Sequence, residues 1–412
     1  MQTKTHWPSL AILIILAIGA AFLLLTSLGF GVSSLIGLFA NGVDPAGAMI
    51  GSLAYGFEVL LLILCGWFVL QKTMRREQAD LPFHFPFANW QIIVGFSIVI
   101  FSAIIGGVAS STELVWLNWL VLPILTLMVI VPPIWMLFGI GTNGIELGPR
   151  WRVFSVFGLG MTVGPLIMIV MEIALLAFII IGGSIFVSTQ KPDLIQEIIR
   201  LGQRLQIEAD QELILKLIAP YIASPAVITV IIAYMAVFVP LIEELFKPLA
   251  VWLFARKFDS PAQGFAMGML SGGAFALLES LNASGNGSTS WPVIVSIRAA
   301  TSLLHMTASG LVGWGIVSAF RDKKVLRFFA AYFAAVTIHG IWNACAIGAG
   351  ISTLGQFLGK PEWLFTVIPA AICGMSVLGI GMLAVLIASN RKLKNAPAQI
   401  EEKSEKEIQS TL

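Results

Sequence analysis

The sequence predicts an all-α protein: a polytopic transmembrane bundle of about ten spans with an extracytoplasmic amphipathic helical insertion. Of the 412 residues, 58% are hydrophobic and only 11% are charged. Soluble domains are typically about 45–50% apolar and about 25% charged, so most of the surface of this chain must face lipid. The formal net charge of +2 is too small to indicate a nucleic-acid partner, and the expected environment is a lipid bilayer.

Ten stretches are apolar over the roughly 20 residues that a membrane-spanning helix needs. The predicted spans are 9–38, 46–71, 90–109, 115–140, 155–187, 225–255, 261–281, 291–320, 327–348 and 363–389. The fifth and sixth are overlong, which predicts tilted or kinked helices. Tryptophans at span ends are expected to anchor the helices at the membrane interface; they are Trp90, Trp116, Trp151 and Trp291.

Basic residues recur in every second connection between the spans. They are Lys4; Lys72, Arg75 and Arg76; Arg150 and Arg152; Arg256 and Lys257; Arg321, Lys323, Lys324 and Arg327; and Arg391, Lys392 and Lys394. Cytoplasmic loops carry an excess of lysine and arginine. We therefore expect a multi-pass protein of the cell membrane with both termini in the cytoplasm.

Two segments lie outside the predicted spans. Residues 188–222 carry apolar residues at helical spacing among mixed charges, which predicts one or two amphipathic helices outside the membrane. These helices either cap a site or form a solvated hairpin without a catalytic part. Residues 391–412 are charged and poor in apolar residues, so we expect a disordered cytoplasmic tail.

Ionisable residues inside the spans are concentrated in the second half of the chain. A charge at mid-bilayer costs about 2.5–3.5 kcal/mol on insertion scales, so such residues persist where they are paired, face a cavity or act chemically. The first five spans hold Glu58 and Glu172, which we interpret as structural polar groups. The next four spans hold Glu243, Glu244, Lys247, Glu279, Arg298, His305 and His339.

The spacing of these residues predicts one polar cavity. Glu243 and Lys247 are four residues apart, a favourable order for a helical pair, and Pro240 and Pro248 bracket them, which predicts a kink. At about 1.5 Å per residue, four residues fall near mid-membrane: Glu243, Glu244, His305 and His339. Glu279 and Arg298 fall nearer the outer face.

Such a cavity contains the groups that peptide hydrolysis needs. A desolvated glutamate can act as general base near neutral pH, and a histidine can stabilise an oxyanion or shuttle protons; Asn343 adds a neutral donor. Two histidines and a glutamate can instead hold zinc, and the candidate ligands are Glu244, His305 and His339. No HExxH motif is present, so no cofactor is certain and the residues leave both routes open.

These motifs resemble the PrsW-type intramembrane protease family over roughly residues 225–350. The resemblance rests on Glu243-Glu244-x-x-Lys247, on Phe275-x-x-x-Glu279 and on the later helices that bear His305 and His339. It implies a protease that cuts membrane-anchored proteins, such as anti-sigma factors or other single-span proteins, near the outer face. The family is described variously as glutamate-type or metal-dependent.

The PrsW type is distantly similar to the CAAX prenyl protease group, which typically shows EExxxR, FxxxH and HxxxN. Here Pro248 replaces the arginine and Glu279 replaces the histidine, and both departures favour the PrsW type. His339 and Asn343 still fit HxxxN.

We therefore predict four regions and one set of site residues. The regions are an N-terminal membrane region of about five spans (1–187), the amphipathic segment (188–222), a catalytic membrane domain of about five spans (223–390) and the tail (391–412). The candidate catalytic residues are Glu243, Glu244, Glu279, His305 and His339, supported by Lys247, Arg298 and Asn343. A proton-coupled secondary transporter and a non-catalytic scaffold of the same fold are the alternatives.

Overall fold

The computed structural model describes residues 6–40, 42–112, 114–208, 210–285 and 290–395, which form helices joined by short connections. The helices of the first half are α1 (Trp7–Gly37), α2 (Pro45–Thr73), α3 (Trp90–Ser110), α4 (Val115–Thr142), α5 (Arg150–Met161), α6 (Val163–Gln190) and α7 (Pro192–Ile207). Those of the second half are α8 (Gln211–Ile222), α9 (Pro225–Ala233), α10 (Val239–Phe246), α11 (Leu249–Phe254), α12 (Pro261–Ala283), α13 (Trp291–Arg321), α14 (Val325–Ser352) and α15 (Glu362–Lys394).

Ten segments among the described residues are long and apolar enough to cross a membrane, which confirms the predicted all-α bundle of about ten spans. The fifth span runs over Arg150–Gln190 and so exceeds the predicted 155–187 at both ends. It is divided at Thr162 into α5 and α6. The last helix continues to Lys394, into the segment expected to be disordered, and residues 396–412 of that tail lie outside the described residues.

The chain packs into two compact units. The first comprises Met1–Pro165, Leu245–Ala335 and Met382–Leu412, and the second comprises Leu166–Glu244 and Val336–Gly381. Because these units are defined by packing, they do not test the functional boundaries that we predict at residues 187 and 222.

The first unit is held together most closely between α12 and α13. Glycines at every fourth position of α12 bring the two backbones together: a Cβ at Gly268 would lie 2.2 Å from the Ser309 carbonyl oxygen, and one at Gly272 would lie 2.4 Å from that of His305. Small residues permit such close helix contact in membranes. This glycine face fixes the position of His305 against α12.

Two of the four tryptophans expected at the membrane interface are buried instead. Trp90 and Trp116 are exposed, but Trp151 and Trp291 are not. The Nε1 of Trp291 donates to the Thr126 hydroxyl at 2.7 Å, and its ring packs where a Cβ at Gly106 would clash. The prediction was wrong for Trp291 because a hydrogen-bond partner and a glycine recess replace the membrane interface, and for Trp151 because its ring packs edge-on against His6 and Phe254.

The second unit contains the amphipathic segment as two helices, α7 and α8. No residue of α7 is buried, and its Ile198 and Ile199 are exposed. Tyr221 of α8 donates its hydroxyl hydrogen to the carboxylate of Glu197 on α7. This hydrogen bond raises the pKa of Tyr221, because loss of the phenolic proton would leave two negative groups in contact.

Candidate active site

The sixth span is interrupted twice around its two glutamates. The chain forms a π-helical turn over Tyr234–Phe238, then α10, which ends at Phe246 just before Pro248. Proline has no N–H to donate and its ring displaces the carbonyl four residues earlier, which explains both interruptions. The interruption predicted from Pro240 and Pro248 is therefore present, as a π-turn just before Pro240 and a break at Pro248.

In the second unit, the two glutamates of α10 lie beside His339 of α14. Glu244 and His339 are buried, and Glu243 is 8% exposed. Nδ1 of His339 is 2.8 Å from Oε1 of Glu244, and Nε2 of His339 is 3.8 Å from Oε2 of Glu243. We call these three side chains the carboxylate cluster. Each offers one metal-binding atom, and these atoms lie within 4.8 Å of one another.

In the first unit, His305 of α13 is held on several sides, and we call its surroundings the histidine cluster. Nδ1 of His305 is 2.8 Å from Nζ of Lys247, and Nε2 is 3.0 Å from Oε2 of Glu279. The ring of Phe275 meets His305 edge-on at 5.1 Å, and Nη2 of Arg298 is 2.6 Å from Oε1 of Glu279.

These contacts determine which nitrogen of His305 carries the hydrogen. A lysine ammonium has only donors and an ionised carboxylate has only acceptors, so Nδ1 accepts from Lys247 and Nε2, which faces Glu279, is the nitrogen that carries the hydrogen. The lone pair of Nδ1 is thereby directed at a positive group. Lys247 also lies 4.7 Å from the centre of the Phe275 ring, a cation–π contact.

Seven of the eight predicted site residues thus take part in one of two local arrangements. The second unit brings Glu243 and Glu244 to His339, and the first unit brings Lys247, Glu279 and Arg298 to His305. Asn343, expected as a neutral donor in the site, donates instead to the carbonyl of Met235 at 2.8 Å.

Sequence reasoning missed two serines that support the histidine cluster. The Ser271 hydroxyl donates to the Lys247 carbonyl at 2.5 Å, and the Ser280 hydroxyl donates to that of Arg298 at 3.3 Å. Their positions on α12 carry a weak signal: Ser280 directly follows Glu279 and Ser271 lies two turns before it, but serines are common in membrane helices.

The family comparison matches the part of the chain that carries these residues. Residues 210–384, somewhat less than half of the chain, match the family model of the PrsW family intramembrane metalloproteases. This segment is similar to a PrsW-family protease domain. No curated protein and no solved structure matches the chain significantly.

The PrsW-family match extends beyond the predicted 225–350 at both ends and contains every candidate site residue. It includes α8 of the amphipathic segment, while residues 1–209 lie outside it. Together with the ten apolar helices, it indicates a multi-pass membrane protein with a segment similar to intramembrane proteases. Such a protease acts on membrane-anchored substrates within the bilayer.

Proposed function

We propose that this chain is an intramembrane metalloendopeptidase that hydrolyses a peptide bond in membrane-anchored proteins, for example single-span proteins such as anti-sigma factors. The observation that carries the proposal is the carboxylate cluster: Glu243, Glu244 and His339 meet in apolar helices, where unpaired charges are costly. The PrsW-family match favours this activity over transport or a non-catalytic role.

The donor types of the carboxylate cluster fit zinc. Carboxylate oxygens and imidazole nitrogens are common ligands of catalytic zinc, which keeps one position open for water. Thiolate ligation has no support, since none of the three cysteines belongs to this cluster. When bound, zinc would acidify a water molecule and polarise the scissile carbonyl group.

We propose Glu244, His305 and His339 as the ligands. His339 meets Glu244 through Nδ1, which leaves Nε2 to ligate, and His305 presents the lone pair of Nδ1 to a cation. Glu279 would orient His305 through Nε2–H, as carboxylates orient metal-binding histidines. Lys247, which follows Glu244 by three residues, and Arg298 would balance the carboxylate charge.

Glu243 is the proposed general base. Its Oε2 lies 3.8 Å from Nε2 of His339, which is too far for a direct hydrogen bond but places this carboxylate close to the nitrogen proposed to hold the metal. Glu243 would take a proton from the attacking water and return it to the leaving amine. The orientation in which both termini are cytoplasmic belongs to this proposal.

The experiment measures metal content and cleavage of a membrane-anchored reporter by the purified full chain in lipid. We expect bound metal, loss of activity on chelation and its return with zinc. Glu244→Gln should lose metal and activity, whereas Glu243→Gln should lose activity and keep the metal. Glu172→Gln, a change in another span, serves as the matched control. Full activity after complete metal removal would exclude the metal-dependent route.

A further inference from the structure

In the sixth span, a proline lies two residues after the π-turn, at the position whose N–H would make the next backbone hydrogen bond. The N–H of Val239 donates to the carbonyl of Tyr234, five residues back, as in a π-helix. The next residue, Pro240, has no N–H. Continuing the π pattern would require a donor to the Met235 carbonyl, and resuming the α pattern would require one to the Ala236 carbonyl.

Helix α14 covers both of these carbonyls. The side-chain amide of Asn343 donates to the Met235 carbonyl at 2.8 Å. Gly340 lies against the neighbouring carbonyl so closely that a Cβ there would be 2.2 Å from the Ala236 oxygen. Asn343 and Gly340 are three residues apart and therefore share one face of α14.

We propose that Asn343 is a positioning residue whose side-chain amide replaces the N–H that Pro240 lacks. Within a bilayer no water can satisfy an exposed backbone carbonyl, so a side-chain donor at this place stabilises the π-turn. The π-turn leads directly into α10, in which Glu243 and Glu244 follow Pro240 by three and four residues.

One face of α14 therefore positions both His339 and the two glutamates of the carboxylate cluster. His339 and Asn343 are four residues apart, one turn of α14. His339 contacts the carboxylates, and Asn343 fixes the turn from which they project. Loss of the Asn343 hydrogen bond should let α10 rotate and move both glutamates relative to His339. The activity and metal measurements below rest on the proposed protease function, and the unfolding measurement does not.

The test is a double-mutant cycle in the full-length protein. Asn343→Leu removes the donor, and Pro240→Ala restores a backbone N–H to the turn. We expect Asn343→Leu to lower kcat by about tenfold and to lower metal retention and the midpoint of thermal unfolding. In the Pro240→Ala background the same substitution should change kcat by less than about twofold, because the backbone has regained its own donor.

Asn390 provides a matched control in the first unit. Its side-chain amide donates to the carbonyls of Gly141 and Asn143, both at 2.9 Å. Asn390→Leu should therefore change the midpoint of thermal unfolding by the same amount in the wild-type and in the Pro240→Ala background. If Pro240→Ala does not accumulate as folded protein, Pro240→Ser supplies the same N–H.

Two outcomes would overturn the inference. An equal loss from Asn343→Leu in both backgrounds, with metal retention unchanged, would place Asn343 in direct contact with the substrate. No effect of Asn343→Leu on unfolding, metal or turnover would remove any role for its hydrogen bond. The double-mutant cycle on thermal unfolding tests this inference without a protease assay. An inactive wild-type chain would therefore count against the proposed function and not against the role of Asn343.

Discussion

Buried carboxylates occur in both halves of the chain, but their surroundings differ. Glu58, in the region outside the family match, is fully buried and contacts one side-chain amide, that of Asn282, at 3.4 Å. In the segment that matches the PrsW family, Glu244 and Glu279 each meet a histidine at 3.0 Å or less. A carboxylate with one neutral partner is the expected arrangement of a structural polar group, whereas buried carboxylates grouped with histidines are typical of functional sites in membranes.

The largest difference between the two regions should appear when a carboxylate is neutralised at constant size. Glu243→Gln should lower kcat by about 10²–10⁴, the usual contribution of a general base, while Glu58→Gln should leave kcat unchanged. Rates of reporter cleavage in lipid, at matched amounts of folded protein, provide the comparison. Equal losses in the two variants would remove the distinction between a catalytic and a structural glutamate.

The glycine face of α12 tests whether the histidine cluster depends on close helix packing. Gly268→Ala would place a Cβ 2.2 Å from the Ser309 carbonyl oxygen, a backbone atom that cannot move by itself. We expect a loss of about 1–3 kcal/mol in unfolding free energy and a large loss of activity. The matched control is Gly273→Ala, whose nearest neighbour is the flexible Met306 side chain at 3.3 Å. Thermal unfolding of both variants measures the difference.

The role of Glu279 separates orientation of His305 from direct chemistry. Glu279→Gln keeps the size of the side chain and still offers an oxygen to Nε2–H of His305, but it removes the ion pair with Arg298. We expect a fall in metal affinity of about 10–100-fold, as for other residues that orient metal-binding histidines. Metal titration of the purified protein measures it. An unchanged metal affinity with a lost kcat would assign Glu279 to the reaction itself.

Hydrophobicity was sufficient for the fold class, because it is a property of the chain itself, and motif spacing selected the candidate site residues. Ten apolar stretches predict ten spans, and costly residues such as Glu244 and His339 point to a site wherever they fall. The contacts of individual side chains were not predictable in this way. Asn343 was expected near the chemistry, but its partner is a carbonyl displaced by Pro240, and only the local backbone path shows this.

The burial of Trp291 was missed for the same reason. Its hydrogen bond to Thr126 joins residues far apart in the chain, and its ring occupies the recess at Gly106. A span-end tryptophan has the same sequence signature in either environment, so hydropathy cannot distinguish an interface anchor from a residue buried between helices.

The smallest expected effect is on stability, at Glu58. Among the described residues, Oε2 of Glu58 and Oδ1 of Asn282 are buried with no hydrogen-bond partner. A glutamine at position 58 has both an oxygen that can accept from the Asn282 amide and a permanent N–H donor for its Oδ1. We expect Glu58→Gln to keep or raise the midpoint of thermal unfolding, whereas Glu58→Leu should lower it, because Asn282 would lose its partner. A marked loss of stability in Glu58→Gln would show that the carboxyl group itself is required, and Glu58 would then resemble the glutamates of the segment that matches the PrsW family.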